Sequence, residues 1–369
     1  MSKRLGIGFI GCGNISAAYL RAIAGFEGRP GFPMLDIRGL ADMRPEAAEA
    51  RAAEFGLKAV SIEALLADPE VALIVNLTIP RAHVEVGLRA LAAGKHVYSE
   101  KPLGITFAEG QRLLAAAGRA GLRIGSAPDT FLGGAHQQSR AVIDSGALGQ
   151  VVGGTAFFQC PGHERWHPDP AFYYDIGGGP VLDMGPYYIT DLVNLLGPVD
   201  RVMAMSSRLR AERPVISAPK AGQIMPVKVD THVTGSLAFA NGAIVQVGLS
   251  FDVAAHQHVP LELYGTDATL IVPDPNNFGG DVALRKLGSD SWTPVPVDYP
   301  YADGNYRSLG VADMALAILE NRPHRASGAL ALHVLEVMEA FATASREGRV
   351  VGITTPVTRP EPLGKTLLG

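Results

Sequence analysis

The run Leu5–Ile10 passes directly into Gly11-Cys12-Gly13-Asn14-Ile15-Ser16, and this junction limits the possible folds more than any other stretch. Six apolar or glycine residues with no charge suit a strand buried on both faces. The first glycine permits a tight turn, and the second lets an anionic group approach the backbone. A helix then begins at once, so its N-terminal N–H groups and the positive end of its dipole face that point. Ser16 is small enough for close strand–helix packing. The string Gly-x-Gly-x-x-small between strand and helix predicts a dinucleotide site at Gly11, Gly13, Asn14 and Ile15.

The alternation continues. Apolar runs at Leu35–Ala41, Val71–Leu77, His96–Ser99 and Leu122–Ser126 are interleaved with helical patterns at Asn14–Ala24, Pro45–Phe55, Ala82–Ala93 and Phe107–Ala120. Strand and helix in turn imply parallel strands with crossover helices on both faces. After a helix ending near Ser145 the pattern changes to consecutive strands: Val151–Phe158, Val202–Arg208, His232–Phe239, Ala243–Phe251, Leu261–Gly265 and Thr269–Val272. Asn241-Gly242 marks a tight hairpin between two of them. Helices are expected at about Tyr306–Glu320 and Ala329–Ser345. The expected fold is therefore α/β. It has an N-terminal Rossmann dinucleotide-binding domain over 1–127 and an α+β domain over 128–350 with an open, mainly antiparallel sheet. A Pro- and Thr-rich arm over 351–369 is expected to lie against a neighbour.

Bulk properties remove several classes of function. A net charge of −4 without a basic tract gives no footprint for nucleic acid or anionic lipid. No apolar stretch approaches the ~18 residues of a membrane helix, and the short, glycine-broken start does not read as a signal peptide. Two cysteines, Cys12 and Cys160, form no disulfide framework, which suits a reducing cytoplasmic location. No spacing among the histidines and cysteines predicts a metal site.

Other loops leave strand ends where an open parallel sheet gathers its ligand. Asp42 ends the second strand, where a carboxylate bonds ribose hydroxyls and repels a 2′-phosphate. NAD is thus favoured, while the neighbouring Arg44 leaves NADP open. Thr78, Pro80 and His83 follow the third strand. Glu100-Lys101-Pro102 follows the fourth, with a cis Lys101–Pro102 bond expected to fix the lysine toward the cleft.

Together these motifs, with Gly177-Gly178-Gly179 leading into Asp183, resemble the Gfo/Idh/MocA family over nearly the whole chain. The family is named for glucose–fructose oxidoreductase, inositol dehydrogenase and a rhizopine catabolism protein. The resemblance implies NAD(P)-linked hydride transfer to or from a secondary hydroxyl or ketone of a sugar, cyclitol or related polyol. It further implies that Lys101, Asp183 and the residue four positions on carry the chemistry. That residue is commonly histidine in the family and is Tyr187 here, as in some sugar and dihydrodiol oxidoreductases.

The segment after Asp183 predicts a helix, with Pro186 in its first turn and Gly197-Pro198 as its stop. Ile189, Leu192, Val193 and Leu196 form the core face. Tyr187 lies about 200° from Ile189, with Asp191 and Asn194 on a polar face turned away from the core, while Tyr188 joins the core. Lys101 is assigned the acid/base role, Asp183 its orientation and that of the substrate hydroxyl, and Tyr187 a hydrogen bond or a share in the proton relay. Arg165, Trp166, His167 and Tyr174 precede the glycine run and suit stacking on, or bonding to, a sugar ring. His232, His256 and His258 are weaker substrate candidates. Two alternatives remain at this point: a non-catalytic dinucleotide- and sugar-binding regulator, and a reductase of dicarbonyl or dihydrodiol substrates. The open sheet face predicts a homodimer or homotetramer.

Overall fold

The computed structural model describes residues 4–368. They form two compact units, one comprising residues up to 133 with Asp303–Leu332 and residues from 360 onward, the other Gly134–Ala302 with His333–Arg359.

The first unit is built on β1 (Leu5–Ile10), β2 (Leu35–Ala41), β3 (Leu73–Asn76), β4 (His96–Ser99) and β5 (Ile124–Ser126), all parallel, in the order β2-β1-β3-β4-β5. Ile7, Phe9, Leu73, Ile74, Val75 and Val97 are fully buried, as expected of strands covered on both faces. Ala59 adds a single parallel bridge to Leu40 outside β2. The crossovers are α1 (Asn14–Ala24), α2 (Pro45–Phe55), α3 (Ile62–Ala67), α4 (His83–Ala92) and α5 (Phe107–Ala120). α3 is too short for a periodic pattern and the sequence did not suggest it; Ser61 Oγ caps it by accepting from Ala64 N at 3.1 Å. Lateral travel along the sheet reverses between β1 and β3, so the loops after β1, β3 and β4 leave the same edge of adjacent strands.

The second unit opens with α6 (Gly134–Asp144), followed by β6 (Val151–Gln159), α7 (Gly179–Leu196) and β7 (Val199–Ser207). A short hairpin, β8 (Glu212–Pro214) and β9 (Ile224–Pro226), comes next. The remaining strands are β10 (His232–Phe239), β11 (Ile244–Ser250), β12 (Leu261–Gly265), β13 (Ala268–Val272), β14 (Val282–Lys286) and β15 (Thr293–Val295), and β16 (Val351–Gly352) lies in the tail. Nine strands pair in the order β15-β14-β13-β12-β6-β11-β10-β7-β16. Every pair is antiparallel except β6–β11, so the sheet is mixed at its centre and mainly antiparallel. One face is apolar and buried, with Leu237, Val245, Leu249, Leu261, Leu263 and Leu270 fully enclosed. The other face carries exposed Val152, Met203, Met205 and Ile244.

Three local expectations change. The hairpin between β10 and β11 has positive φ only at Gly242. Gly242 N donates to Phe239 O at 2.9 Å and Phe239 N to Ala243 O at 2.9 Å, giving a three-residue loop rather than a two-residue turn. α7 begins at Gly179 with Pro180 in its first turn, so Pro186 lies inside the helix; Gly197, at φ +94°, ends it as expected. The tail expected as an arm against a neighbour is tied at its start to its own chain: β16 pairs with β7, and Glu336 accepts from Thr354 N at 2.9 Å and Thr355 N at 2.8 Å. The last helices are α8 (Leu309–Leu319), in the first unit, and α9 (Gly328–Glu347).

Candidate active site

In the first unit the glycine loop is held from below. Gly11 sits at φ +106°, and a Cβ there would lie 2.5 Å from the carbonyl carbon of Leu77, so only glycine fits. Asp42 directly follows β2 and accepts from Cys12 N at 2.7 Å and Arg44 N at 2.9 Å, so the predicted ribose carboxylate also clamps the loop. Ser16 is buried and donates to Gly13 O at 2.6 Å. Burial, with Asp42 nearby, pushes the Cys12 thiol up to about 11, so it is protonated and unreactive at neutral pH.

Gly13 differs from Gly11. Its φ of −69° suits any residue, and a Cβ there would meet nothing within 4 Å. The fold itself does not require glycine at this position. The space above it lies at the start of α1, whose N-cap makes no side-chain hydrogen bond, with Asn14 exposed beside it. An uncapped helix start with its backbone laid bare fits a dinucleotide diphosphate.

The loops after β3 and β4 are locked together. Asn76 Oδ1 accepts from Thr78 Oγ1 at 2.7 Å, and its Nδ2 donates to His83 O at 2.9 Å. Pro80 opens a single 3₁₀ turn, Pro80–Ala82. His83 was expected to touch the cofactor, but it is buried with Nδ1 2.7 Å from Pro102 O and Nε2 2.9 Å from Thr78 O. Burial pushes its pKa down. The neutral ring has one N–H to donate to these carbonyls, and both its nitrogens are turned to backbone oxygens of the two strand-end loops rather than to a ligand. Glu100 is likewise committed: Oε1 accepts from Tyr19 Oη at 2.7 Å and Oε2 from Lys101 N at 2.9 Å. Lys101 is half-buried on this clamp, and the Lys101–Pro102 bond is cis as expected.

In the second unit, Asp183 lies in the first half of α7, and its Oδ2 is 3.0 Å from Nε2 of His163, a residue sequence reasoning passed over. Trp166 Nε1 donates to His163 Nδ1 at 3.1 Å. The indole ring of Trp166 is 61% exposed, with His167 edge-on beside it and Arg165 exposed. Tyr174, expected at a sugar, is fully buried. Its hydroxyl donates to Glu164 and accepts from His163 N at 3.1 Å, so it braces the loop instead. Burial and the Glu164 bond push its pKa up. Beneath it Arg213, wholly buried at the start of the β8–β9 hairpin, donates to Glu164 Oε1 at 2.6 Å and to Asp252. His232 bonds Ser250 within the sheet, and His258 stacks on Phe157 at 4.3 Å.

The expected polar face of α7 exists but does not face away from the core. Asp191 Oδ2 lies 2.8 Å from His136 Nδ1, and Asn194 Oδ1 accepts from Arg140 Nη1 at 3.0 Å, so α6 covers that face. Tyr187 is itself only 7% exposed. Tyr188 is core, as predicted, with its hydroxyl 3.2 Å from Asp274.

Two family descriptions match this chain. An oxidoreductase family with an NAD-binding Rossmann fold matches residues 5–127, and the GFO/IDH/MocA C-terminal domain matches residues 136–271, together more than two thirds of the chain. The chain belongs to the GFO/IDH/MocA oxidoreductases. Levoglucosan dehydrogenase of Pseudarthrobacter phenanthrenivorans is 26% identical over 349 residues, which cover 86% of this chain and 87% of that protein. The 1,5-anhydro-D-fructose reductase of Ensifer adhaerens is 27% identical over 247 residues, covering 65% and 69%. The structure of a levoglucosan dehydrogenase in complex with NADH and L-sorbose superposes with a TM-score of 0.83 at 22% identity, covering 96% of this chain and all of that one.

As a GFO/IDH/MocA member the chain is an NAD-binding oxidoreductase whose relatives act on sugars. No described helix is long and apolar enough to cross a membrane. The residues that sequence reasoning missed are His163, Glu164 and Arg213. One signal for them was available: His163 lies three residues before Trp166, within one turn of it, in a loop already read as substrate-facing.

Proposed function

We propose that this GFO/IDH/MocA protein is an NAD-dependent dehydrogenase or reductase acting at a secondary hydroxyl or ketone of a sugar, cyclitol or related polyol. The observation that carries this reading is the clamp on Glu100. A buried carboxylate bonded both to Tyr19 and to the backbone N–H of Lys101 holds the main chain at the lysine, which supports a fixed role for its side chain. Gly11, Gly13, Asn14 and Ile15 would hold the diphosphate, and Asp42 the ribose. A carboxylate there favours NAD over NADP; exposed Arg44 would be the route to NADP.

When bound, the dinucleotide supplies a nicotinamide that accepts the hydride leaving the carbinol carbon. Lys101, as the neutral amine, takes the hydroxyl proton, so alcohol becomes ketone with the proton left on lysine. Asp183 accepts a hydrogen bond and orients the substrate hydroxyl, and Tyr187 donates one or shares the proton. Trp166, Arg165 and His167 supply a stacking face and hydrogen-bond donors for a sugar ring. Thr78 and Pro80 shape the loop beside the cofactor. A homodimer or homotetramer through the exposed Met203, Met205, Val152 and Ile244 face and a cytoplasmic location complete the proposal.

The test is NADH formation or consumption with levoglucosan, 1,5-anhydro-D-fructose, L-sorbose, D-glucose and myo-inositol. Turnover with at least one is expected, and Lys101→Met should lower it about 10³-fold while NADH still binds. Binding of these sugars without any turnover would support a regulator instead.

A further inference from the structure

We infer that His163 is a positioning residue for Asp183, locked by Trp166 into the one tautomer that can hold that carboxylate; the inference rests on the proposed role of Asp183. An indole N–H only donates. With Trp166 Nε1 3.1 Å from His163 Nδ1, that nitrogen must be the bare acceptor. The ring proton then sits on Nε2 and is donated to Asp183 Oδ2 at 3.0 Å. Either other form of the ring, imidazolium or Nδ1–H, would set a donor against the indole N–H and lose that bond.

The surroundings hold this arrangement in place. His163 N donates to the buried Tyr174 hydroxyl, while His163 O accepts from Trp166 N at 3.2 Å and His167 N at 3.0 Å. The rings of Tyr173 and Phe251 lie 4.3 Å and 4.5 Å from the imidazole. Glu164, Arg213 and Asp252 form a buried charge network under the same loop, so the loop is anchored from below while Trp166 is exposed above. Asp183 thereby receives a fixed donor on one oxygen, which sets its rotamer and keeps it an acceptor toward the hydroxyl it would orient.

This separates two substitutions that a packing role would not. Gln at 163 can place an N–H near the Nε2 position, whereas Asn reaches only the Nδ1 position and removes the His163 donor from Asp183. With NAD and levoglucosan, and with NADH and 1,5-anhydro-D-fructose, His163→Gln should keep kcat within about threefold of wild type. His163→Asn should lose roughly 10- to 100-fold in kcat, with KM changed by no more than about threefold. Equal activity of the two variants, or wild-type kcat in His163→Asn, overturns the inference.

A readout independent of turnover is the long-range ¹H–¹⁵N spectrum of the histidine rings, with His163 assigned by its loss in His163→Gln. An Nε2–H tautomer at neutral pH is expected in the wild type, and Nδ1–H or imidazolium signal should appear in Trp166→Phe, which keeps a ring but has no indole N–H. An Nδ1–H ring in the wild type overturns the inference. Wild-type silence toward every sugar, by contrast, refutes the proposed function and leaves the spectrum to decide the tautomer lock.

Discussion

Gly13→Ala separates what the fold needs from what the cofactor needs. The backbone at position 13 is ordinary, and the new methyl meets nothing within 4 Å. Replacing Gly by Ala at an N-cap costs at most about 1 kcal/mol, and the stiffer unfolded chain returns about 0.4–1 kcal/mol. The melting temperature should therefore move by no more than about 2 °C. The methyl instead fills the space above the start of α1, where a diphosphate would draw its hydrogen bonds. Loss of one or two charge-assisted bonds at about 1.5–3 kcal/mol each gives about 3 kcal/mol, or roughly 100-fold in Kd. Titration of NADH fluorescence, paired with thermal melts, reads both quantities. Gly11→Ala is the counter-case. Its φ of +106° and the 2.5 Å approach to Leu77 should cost about 3 kcal/mol and lower the melting temperature itself. NADH binding to a folded Gly13→Ala protein within twofold of wild type would refute the reasoning.

Three further outcomes follow from the second unit and from the lysine. Burial alone would lower the pKa of His136, but the charge and hydrogen bond of Asp191 outweigh it and raise the value. A raised folded pKa means that stabilisation is complete below the unfolded value near 6.5 and is lost as pH rises through the folded one. Urea unfolding should thus show Asp191→Asn about 3 kcal/mol or more below wild type at about pH 6, with a smaller gap at about pH 9; a constant gap contradicts this. Arg213→Met strands the carboxylates of Glu164 and Asp252 and should cost about 3–5 kcal/mol, read as an early transition in thermal unfolding followed by tryptophan fluorescence. In a double-mutant cycle of Lys101→Met with Asp183→Asn, kcat/KM should show a coupling of about 1 kcal/mol or more; strict additivity would mean that the two groups act on separate steps.

What could be read from the sequence depended on whether the signal was local. β1, β2, β4, α1, α2 and α5 appear at the expected residues, because buried parallel strands are unbroken apolar runs and their helices begin and end on Pro, Thr and Gly. The glycine loop, the cis Lys101–Pro102 bond and the stop of α7 at Gly197 were legible for the same reason. β14 and β15 escaped notice because Val282–Lys286 and Thr293–Val295 are short edge segments with mixed polarity. The parallel pairing of β6 with β11 joins strands far apart in sequence, and no local pattern encodes it.

The site followed the same division. A helical wheel placed Tyr188 in the core, where it lies, but it could not reveal that His136 and Arg140 of α6 would cover Asp191 and Asn194. Pro186 read as a helix start because proline favours a first turn; Gly179-Pro180 offered the same signal four residues before Asp183 and is the true start. Tyr174 was expected at the substrate and His83 and Glu100 at the cofactor, yet each spends its polar atoms inside the protein. Composition cannot tell a group that meets a ligand from one that holds its neighbour in place.

The partition of the chain has a consequence for how this protein is made. The polypeptide passes between its two units four times, and the first is finished only by residues from 360 onward. β5, the last strand of the parallel sheet, takes a hydrogen bond from Ser126 N to Ala326 O, and Gly125 bridges to Ser327, some two hundred residues downstream. A fragment cut at residue 127 would therefore lack α8, seven of whose first eight residues are fully enclosed, and would present that bare surface to solvent. On the ribosome the nucleotide-binding half must wait, incomplete, until residues beyond 360 have been translated.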